Sequence, residues 1–572
     1  YNYRRIAGLD TKGVQGYGAW IKDNGAGQFE AHYVVALAKA SMSMPNYSFN
    51  GETVLDRLTY MVNALKECQD AYGKLYPQEK GYLGAIPTDQ YTALEEGRNK
   101  DNTGLSIWVP WYFNHKNLEA ELDVYHYAAS EELRAVAYEM MSAHADWCYN
   151  RMSRLDEATR LKVLRTEYGG MAEVLFRIYA ETNNVNHYKA AKYFEEGSLL
   201  DNIYKNVDIL KGLHANTAIP KFLGCAAAYE VTGDEYYKTI AINAFEMILG
   251  RTYAFGGTSR AEHWLDDAGD LKTANDTAET CCSYNMIKLA DYLYRWTGDK
   301  KYLDYIDLTY TNHILASMAP DSGLKTYLTN TAFGSYKVLH TVDNSFWCCA
   351  CTGMESFAKL NYGIYYKTEN AITVNMFYPS EFKFNENVTL VQENDFFTQE
   401  KASFKVKGNG EFTLRLRKPD YATTTTIKIN GQTIAVDETN GFYEITRNWT
   451  DGDNIVYEVP FGYQLVRLNN HTKEYAVKYG PLVFVADLGS DDVNDVQGSQ
   501  LSFGTAYVGN IESKIVLAGN TLEESATLTY GENGEIYLTI NTLNQGELLF
   551  RPFNQLFHKR YGMYFAYYDT IE

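Results

Sequence analysis

The chain has 572 residues, of which 45% are hydrophobic and 22% charged, and its formal net charge is -20. It is too long for one ordinary core and too apolar to be disordered, so we expect two or three packed domains. The acidic balance argues against nucleic acid and anionic lipid as partners, because such a surface repels phosphates. No run of eighteen or more apolar residues occurs, so we expect a soluble protein without a membrane span.

The first part of the chain, up to about residue 365, has the pattern of long amphipathic helices. Apolar residues recur at spacings of three and four in the segments 117–147, 169–196 and 285–318. Between helices a turn motif recurs at intervals of 52, 50 and 65 residues, at Tyr127, Tyr179, Tyr229 and Tyr294. This repetition predicts stacked helical hairpins, which either extend as a solenoid or close into a toroid. We predict an (α/α)6 toroid, because a functional cluster gathered from distant hairpins needs a common centre.

From about residue 366 the hydrophobic period becomes two, as in FTLRLRKPD and TTIKINGQTIAV. Asn430-Gly431 in the second segment predicts a tight hairpin turn. The sequence therefore predicts a multidomain α+β protein. Its expected parts are an (α/α)6 domain at 1–365, a β-sandwich domain at 366–465, and a second sandwich or a continuation of the first at 466–572.

The cysteines lie in the first two-thirds of the chain, at Cys68, Cys148, Cys225, Cys281, Cys282, Cys348, Cys349 and Cys351. Adjacent cysteines form a poor disulfide framework, so we favour reduced thiols. Glu279 and Cys281, taken with Cys348 and Cys349, supply one carboxylate and three thiolates, which is a plausible tetrahedral ligand set for zinc. The alternative is that these cysteines are small buried hydrophobic residues.

Several longer motifs follow one another in a characteristic order. They are GQFEAHYVVALA, WYFNHKNLEAELDVY, EYGGMAEVL, GLHANTAIPKFLG, GGTSRAEHW, NDTAETC, FWCC followed by TGMES, and NMFYPSE. In this the chain resembles glycoside hydrolase families 127 and 146, the β-L-arabinofuranosidase group, with the closer match to family 146. The resemblance extends from about residue 25 to 380, and FHKRYGMYFAYY near the C-terminus is also similar.

The resemblance implies a retaining exo-glycosidase that releases terminal β-L-arabinofuranose from plant-type glycans, with a cysteine in place of the usual carboxylate nucleophile. By motif, Cys348 is the nucleophile and Glu262 the general acid/base. The implied zinc ligands are Glu279, Cys281, Cys348 and Cys349. A zinc ion would hold the Cys348 sulfur as the reactive thiolate. The implied partner is an arabinofuranosyl oligosaccharide or glycan.

The resemblance also implies sugar-binding side chains on the helical hairpins. His115 and His214 match the sugar-binding histidines of the group, and His32, Glu173 and Tyr327 are further candidates.

One departure from the family pattern concerns the nucleophile itself. Family 146 has glycine where this chain has Cys351, and in family 127 a shifted alignment would make Cys351 the reactive sulfur. We keep Cys348, because the TGME motif sets the register. Cys282 is likewise an extra thiol, either a spectator or a partner of Cys351 on oxidation.

Alternatives to this function remain at this stage. A relative with a different sugar specificity would keep the same core, and a non-catalytic sugar-binding relative would keep the toroid. A zinc hydrolase that activates bound water needs an open coordination position, which a four-residue ligand set does not leave. Reduced thiols favour the cytoplasm over the periplasm, although zinc can protect thiols in either. The oligomeric state is either monomer or homodimer.

Overall fold

The structure is a computed structural model that describes residues 1–14, 16, 27–393, 395–422, 424–497, 507 and 509–568. A helical region is followed by three large β-sheets, which is the predicted multidomain α+β architecture. Among the described residues, no helix has both the length and the apolar character that crossing a membrane would require.

The helical region contains fifteen α-helices and one two-stranded ribbon in the described residues. The helices are α1 (Asn2–Ile6), α2 (Gln28–Ser43), α3 (Val54–Leu75), α4 (Asp89–Glu96), α5 (Pro110–Tyr127), α6 (Glu131–Met152), α7 (Glu157–Val163), α8 (Met171–Thr182), α9 (Val185–Lys192), α10 (Gly197–Tyr204), α11 (Ala215–Thr232), α12 (Glu235–Leu249), α13 (Thr280–Thr297), α14 (Lys300–Thr309) and α15 (Cys348–Ala358). The ribbon pairs β1 (Ser48–Phe49) with β2 (Glu52–Thr53).

Six inner helices close into a ring. α2 packs on α5, α5 on α8, α8 on α11, α11 on α13, α13 on α15, and α15 back on α2. The helices α3, α6, α9, α12 and α14 each follow an inner helix and pack outside it. This closed ring is the predicted toroid and excludes the solenoid.

The recurring turns have a clear local cause. After α11 the chain places Gly233 at φ +66°, a left-handed conformation that glycine adopts at little cost, and Asp234 then caps α12 by accepting the N–H of Tyr236 at 2.9 Å. Gly298 and Asp299 do the same between α13 and α14. A glycine that ends the inner helix and an aspartate that caps the start of the outer helix thus reverse the direction of the chain.

The strands after the toroid build three sheets. They are β3 (Tyr365–Lys367), β4 (Ala371–Val374), β5 (Ser380–Lys383), β6 (Val388–Gln392), β7 (Lys401–Gly408), β8 (Gly410–Arg417), β9 (Thr426–Ile429), β10 (Gln432–Ile434), β11 (Glu438–Thr439), β12 (Phe442–Trp449), β13 (Asn454–Glu458), β14 (Tyr463–Arg467), β15 (Glu474–Tyr479), β16 (Leu482–Asp487), β17 (Lys514–Val516), β18 (Ala526–Tyr530), β19 (Ile536–Thr542), β20 (Gly546–Pro552), β21 (Tyr561–Gly562) and β22 (Phe565–Tyr568). Two short helices accompany them, α16 (Phe396–Gln399) and α17 (Leu522–Ser525).

The first two sheets share one core and form a sandwich. One has the order β10-β9-β13-β7-β6-β5 and the other β11-β12-β8-β4-β3. The predicted hairpin is confirmed, since Asn430 at φ +51° and Gly431 at φ +81° join β9 to β10. The third sheet has nine strands, with β17-β22-β15-β16-β20-β19-β18 as its main path.

The β region buttresses the toroid. Arg417 of β8 is buried between Asp304 and Asp307 of α14, so an ion pair ties the sandwich to the ring. In the third sheet, the Tyr561 hydroxyl donates to the carbonyl of Asn330 at 2.6 Å. That bond supports the long segment 318–347, which leads into α15.

Candidate active site

The N-terminal ends of two inner helices meet at one point of the ring. Glu279 is the N-cap of α13, and Cys281 is the second residue of that helix. Cys348 and Cys349 are the first two residues of α15. Unpaired backbone N–H groups and the positive end of the helix dipole favour negative charge at such positions. The fold therefore places three thiols and a carboxylate where anions are stabilised.

The ligand atoms of these four residues lie within 4.8 Å of one another and all four residues are buried. The Cys281 and Cys349 sulfurs are 3.1 Å apart, and those of Cys348 and Cys349 are 4.0 Å apart. The Glu279 Oε1 atom is 3.9 Å from the Cys348 sulfur and 3.8 Å from that of Cys349. A tetrahedral ion with 2.3 Å bonds to sulfur separates two sulfurs by about 3.8 Å. Three of these four separations lie near that value, and the Cys281 and Cys349 sulfurs would have to move apart by about 0.7 Å, so the cluster could hold a metal ion.

The protein differentiates the thiols electrostatically. Interaction with the Cys281 and Cys349 thiols holds the pKa of Cys348 well below its usual range, against the effect of burial. Burial raises the pKa values of Cys281, Cys349 and Glu279 well above their ordinary values. The pKa of Cys348 is thus shifted in the opposite direction to the pKa values of the other three groups.

Glu262 is presented to the cluster by an unusual turn. The Arg260 and His263 backbones bond each other in both directions, at 2.7 and 3.0 Å, and the two central residues have positive φ, +47° at Ala261 and +65° at Glu262. Positive φ at both central residues is typical of a type I′ turn, which normally uses asparagine and glycine. The Glu262 carbonyl is held by the Ala215 amide at 2.8 Å. The chain therefore carries backbone strain where it positions this carboxylate.

Tyr327 connects Glu262 to the cluster. Its hydroxyl donates to Glu262 Oε1 and lies 3.6 Å from the Cys348 sulfur. Its backbone carbonyl accepts the Thr280 N–H at 3.0 Å, which fixes the tyrosine to the start of α13.

Two histidines stand beside these groups as neutral imidazoles. His214 is the N-cap of α11, its Nε2 is 4.0 Å from Glu262 Oε2, and burial lowers its pKa. The Gly170 amide donates to His115 Nδ1 at 3.1 Å, so the proton of the neutral ring is on Nε2. Burial lowers the pKa of His115 well below its usual value. A Cβ on Gly169 would lie 2.7 Å from His115 Nδ1, so this close approach requires glycine.

Family comparisons agree with this geometry. Residues 1–362 match the model of the β-L-arabinofuranosidase GH127 catalytic domain, and residues 371–461 match the model of the GH127 middle domain. The chain belongs to the GH127 β-L-arabinofuranosidase family. The preference for family 146 stays a prediction.

Solved structures show the same fold as this GH127 protein. The GH127 β-L-arabinofuranosidase Ara127N-Se from Geobacillus stearothermophilus T6 is 16% identical, with a TM-score of 0.70, and the match covers 99% of this chain and 93% of that one. The GH127 β-arabinofuranosidase BT3674 is 16% identical, with a TM-score of 0.69 and coverage of 99% and 91%. No curated protein matches the sequence significantly.

Two of the expected sugar-binding residues of this GH127 chain lie deeper, along the axis of the ring. His32 contacts Glu355 through its Nδ1 atom and is fully buried. Glu173 is ion-paired with Lys288 at 3.1 Å. Both lie outside the four-residue cluster, whereas Glu262, Tyr327 and His214 lie beside it.

The two extra thiols are also buried. Cys282 is 3.8 Å from Glu279 Oε2, and Cys351 lies outside the four-residue cluster, with its pKa raised well above the usual value by burial.

Three neighbours of the site were missed by sequence reasoning. Glu167 faces the same cleft as His115 and Cys281, and burial followed by the charge of Cys348 raises its pKa to about 7. Thr352 Oγ1 lies 3.1 Å from the Cys281 sulfur, and Ser259 Oγ accepts the Glu279 N–H at 3.1 Å. All three lie in motifs quoted in the sequence analysis, Glu167 in EYGGMAEVL, Ser259 in GGTSRAEHW and Thr352 in TGMES.

Proposed function

We propose that this GH127 protein is a retaining exo-glycosidase that releases terminal β-L-arabinofuranose, with Cys348 as nucleophile and Glu262 as general acid/base. The observation that carries the proposal is the contact of Glu262 Oε1 and the Cys348 sulfur with one hydroxyl, that of Tyr327. Glu262 Oε1 and the Cys348 sulfur are therefore no farther apart than the sum of their distances to the Tyr327 hydroxyl oxygen. That sum is shorter than the roughly 6.5–9.5 Å that an inverting enzyme needs to admit a water between its two groups.

The reaction would proceed in two displacements at the anomeric carbon. The Cys348 sulfur forms a bond to that carbon while the bond to the leaving oxygen breaks, and Glu262 gives its proton to that oxygen. Glu262 then accepts a proton from a water, whose oxygen displaces the sulfur and restores Cys348 as thiolate. Two inversions retain the configuration of the sugar.

We propose zinc as the ion held by Glu279, Cys281, Cys348 and Cys349, because it accepts sulfur and carboxylate oxygen in tetrahedral geometry. Bound there, zinc would keep the nucleophile as thiolate at neutral pH. The backbone N–H groups at the start of α15 and the Tyr327 hydroxyl provide the rest of the stabilisation. His115 and His214, as neutral imidazoles, would bond the sugar hydroxyls, and His32, Glu173 and Tyr327 remain further candidates for sugar contacts.

The test is hydrolysis of p-nitrophenyl β-L-arabinofuranoside by the wild type, Cys348→Ala and the matched control Cys351→Ala. We expect Cys348→Ala to lose at least about 10³-fold in kcat, since the nucleophile is removed, and Cys351→Ala to stay within a few-fold of the wild type. Metal content and circular dichroism of each variant check that the site still folds. Full activity in Cys348→Ala with loss in Cys351→Ala would move the nucleophile to Cys351.

Glu262→Gln tests the acid/base independently of the nucleophile. The aryl leaving group needs little protonation, so the first displacement should persist and the second should become slow. We expect mass spectrometry to detect one pentosyl group on the peptide that contains Cys348. Activity equal to that of the wild type in Glu262→Gln would remove Glu262 from the mechanism. Absence of hydrolysis in the wild type, with zinc bound, would contradict the arabinofuranose assignment and point to a different sugar.

A further inference from the structure

A second cavity is lined largely by residues from the C-terminal halves of the inner helices. It has a volume of about 480 Å³, within the range of small-molecule sites. Five inner helices contribute charged side chains to its wall from their C-terminal halves, and the sixth contributes the residue that follows it. These residues are Lys39 (α2), Asp123 (α5), Arg177 (α8), Glu230 (α11), Arg295 (α13) and Lys359, directly after α15. The thiol cluster, in contrast, sits at the N-terminal ends of α13 and α15.

Most of the charges that line this cavity neutralise one another. Asp123 is ion-paired with Lys39 at 2.7 Å and with Arg177 at 3.3 Å. Arg295 is ion-paired with Asp291 at 3.1 Å and with Glu230 on the neighbouring helix. Such pairs keep free lone pairs and N–H groups that can bond hydroxyl groups of a ligand.

Lys359 is the exception among the lining cations of the described residues. The residue is 7% exposed and lines the cavity, and among the described residues its ammonium forms neither a hydrogen bond nor an ion pair with a protein group. Its Nζ atom lies over the face of Tyr284, 4.1 Å from the ring centre. The ammonium therefore has N–H donors free toward the cavity, and a ligand carboxylate would form charge-assisted hydrogen bonds with it.

We propose that this cavity binds a small hydroxylated monoanion, of the sugar-acid class, with its carboxylate on Lys359 and its hydroxyl groups on the ion-paired side chains. The carboxylate is assigned to Lys359 because, among the described residues, Lys359 is the lining lysine or arginine that forms no ion pair. The rings of Tyr127, Tyr292 and Tyr362 at the same cavity give apolar faces for the carbon skeleton.

The Lys359 end of the cavity is distant from the proposed nucleophile, although Glu173, a candidate sugar contact, lines both this cavity and the cleft beside Cys281. Lys359 and Cys348 lie at opposite ends of α15, whose 11 residues span roughly 16 Å. The inference therefore does not depend on the proposed function, and activity and binding can be measured independently.

Burial also lowers the pKa of Lys359 to about 7. The groups facing it from the neighbouring helices are Lys39, Asp123, Lys288 and Glu355, and the two lysines act in the same direction as burial. A bound carboxylate would favour the ammonium form, so binding above pH 7 should take up a proton.

The experiment is isothermal calorimetry with D-glucuronate as probe and glucose as its neutral control, at pH 8 in two buffers of different ionisation enthalpy. We expect a Kd of about 1 mM for glucuronate, the affinity that ordinary ligand efficiency gives a monosaccharide. We expect weaker binding of glucose by about tenfold and proton uptake with glucuronate alone. Equal affinity for the two sugars, or no binding of glucuronate at 20-fold this concentration (about 20 mM), would overturn the proposal.

Variants locate the bound probe. Lys359→Met should weaken glucuronate binding about tenfold or more and leave hydrolysis unchanged, whereas Lys359→Arg, which keeps the cation, should bind more tightly than Lys359→Met. Cys348→Ala should bind glucuronate as the wild type does. Loss of binding in Cys348→Ala with retention in Lys359→Met would place the probe in the active site and refute the second site.

Discussion

Replacing Tyr327 by phenylalanine tests whether the hydroxyl shared by Glu262 and Cys348 contributes to catalysis. The ring is 5% exposed, so the variant removes one oxygen from a packed side chain and should not unfold the protein. A hydrogen bond to a charged group is worth about 1.5–3 kcal/mol. If the bond is fully used in the transition state, kcat/KM falls about 10- to 150-fold.

The assay is steady-state hydrolysis of the aryl arabinofuranoside, with thermal unfolding measured in parallel. Tyr82→Phe is the matched control, because its hydroxyl also makes a buried bond, to the Ile86 carbonyl at 2.7 Å, but does not line the site. A double-mutant cycle with Glu262→Gln separates the Tyr327–Glu262 hydrogen bond from other effects of the Tyr327 substitution. Once the carboxylate is replaced, Tyr327→Phe should lower kcat/KM only slightly. A kcat/KM within about twofold of the wild type, or an undiminished loss in the Glu262→Gln background, would refute the reasoning.

Three further results are expected. Ala261→Gly should raise the free energy of unfolding by up to about 1 kcal/mol in urea titrations, because glycine adopts the positive φ without strain. The same variant should lower kcat, because the more flexible turn positions Glu262 less precisely. A destabilised variant would contradict the description of the turn as strained. Since burial lowers the Lys359 pKa from 10.5 to about 7, the unfolded chain binds more protons than the folded one between these values, so stability rises with pH there. Between pH 7 and 9, the free energy of unfolding of the wild type should rise by about 2–3 kcal/mol more than that of Lys359→Met. Parallel pH profiles of unfolding free energy for the two proteins would contradict this expectation. Zinc binding to the metal-free protein should release about two to three protons at pH 7, as calorimetry in different buffers measures; fewer than about one would show that the thiols are already ionised.

Much of the ring follows from local sequence. The glycine-aspartate turns stop one helix and start the next, and Gly233 and Gly298 adopt the conformations that such signals predict. The longer interval between Tyr229 and Tyr294 also had structural meaning. It contains residues 250–279, between the end of α12 and the start of α13, and this segment carries Glu262 and Glu279.

The details of the site depend on contacts that local sequence does not contain. Tyr327 meets Glu262 across 65 residues of chain, and the positive φ values of Ala261 and Glu262 contradict the preferences of both residues. The positions of His32 and Glu173 are set by buried partners on other helices, Glu355 and Lys288. Such placements result from closure of the whole ring, so a motif can name the residue without giving its surroundings.

The N-termini of α13 and α15 meet at the thiol cluster, where they oppose the mutual repulsion of its negative charges. Three thiolates and a carboxylate within 4.8 Å would repel one another strongly in a buried site. In the protein alone, burial raises the pKa values of Cys281, Cys349 and Glu279, and contact with the neighbouring thiols lowers the pKa of Cys348. Two helix N-termini offset only part of that repulsion, since each acts as about half a positive charge. A divalent cation would supply the rest, so the geometry that could hold a metal ion is also the geometry that the proposed nucleophile, Cys348, would need to stay a thiolate.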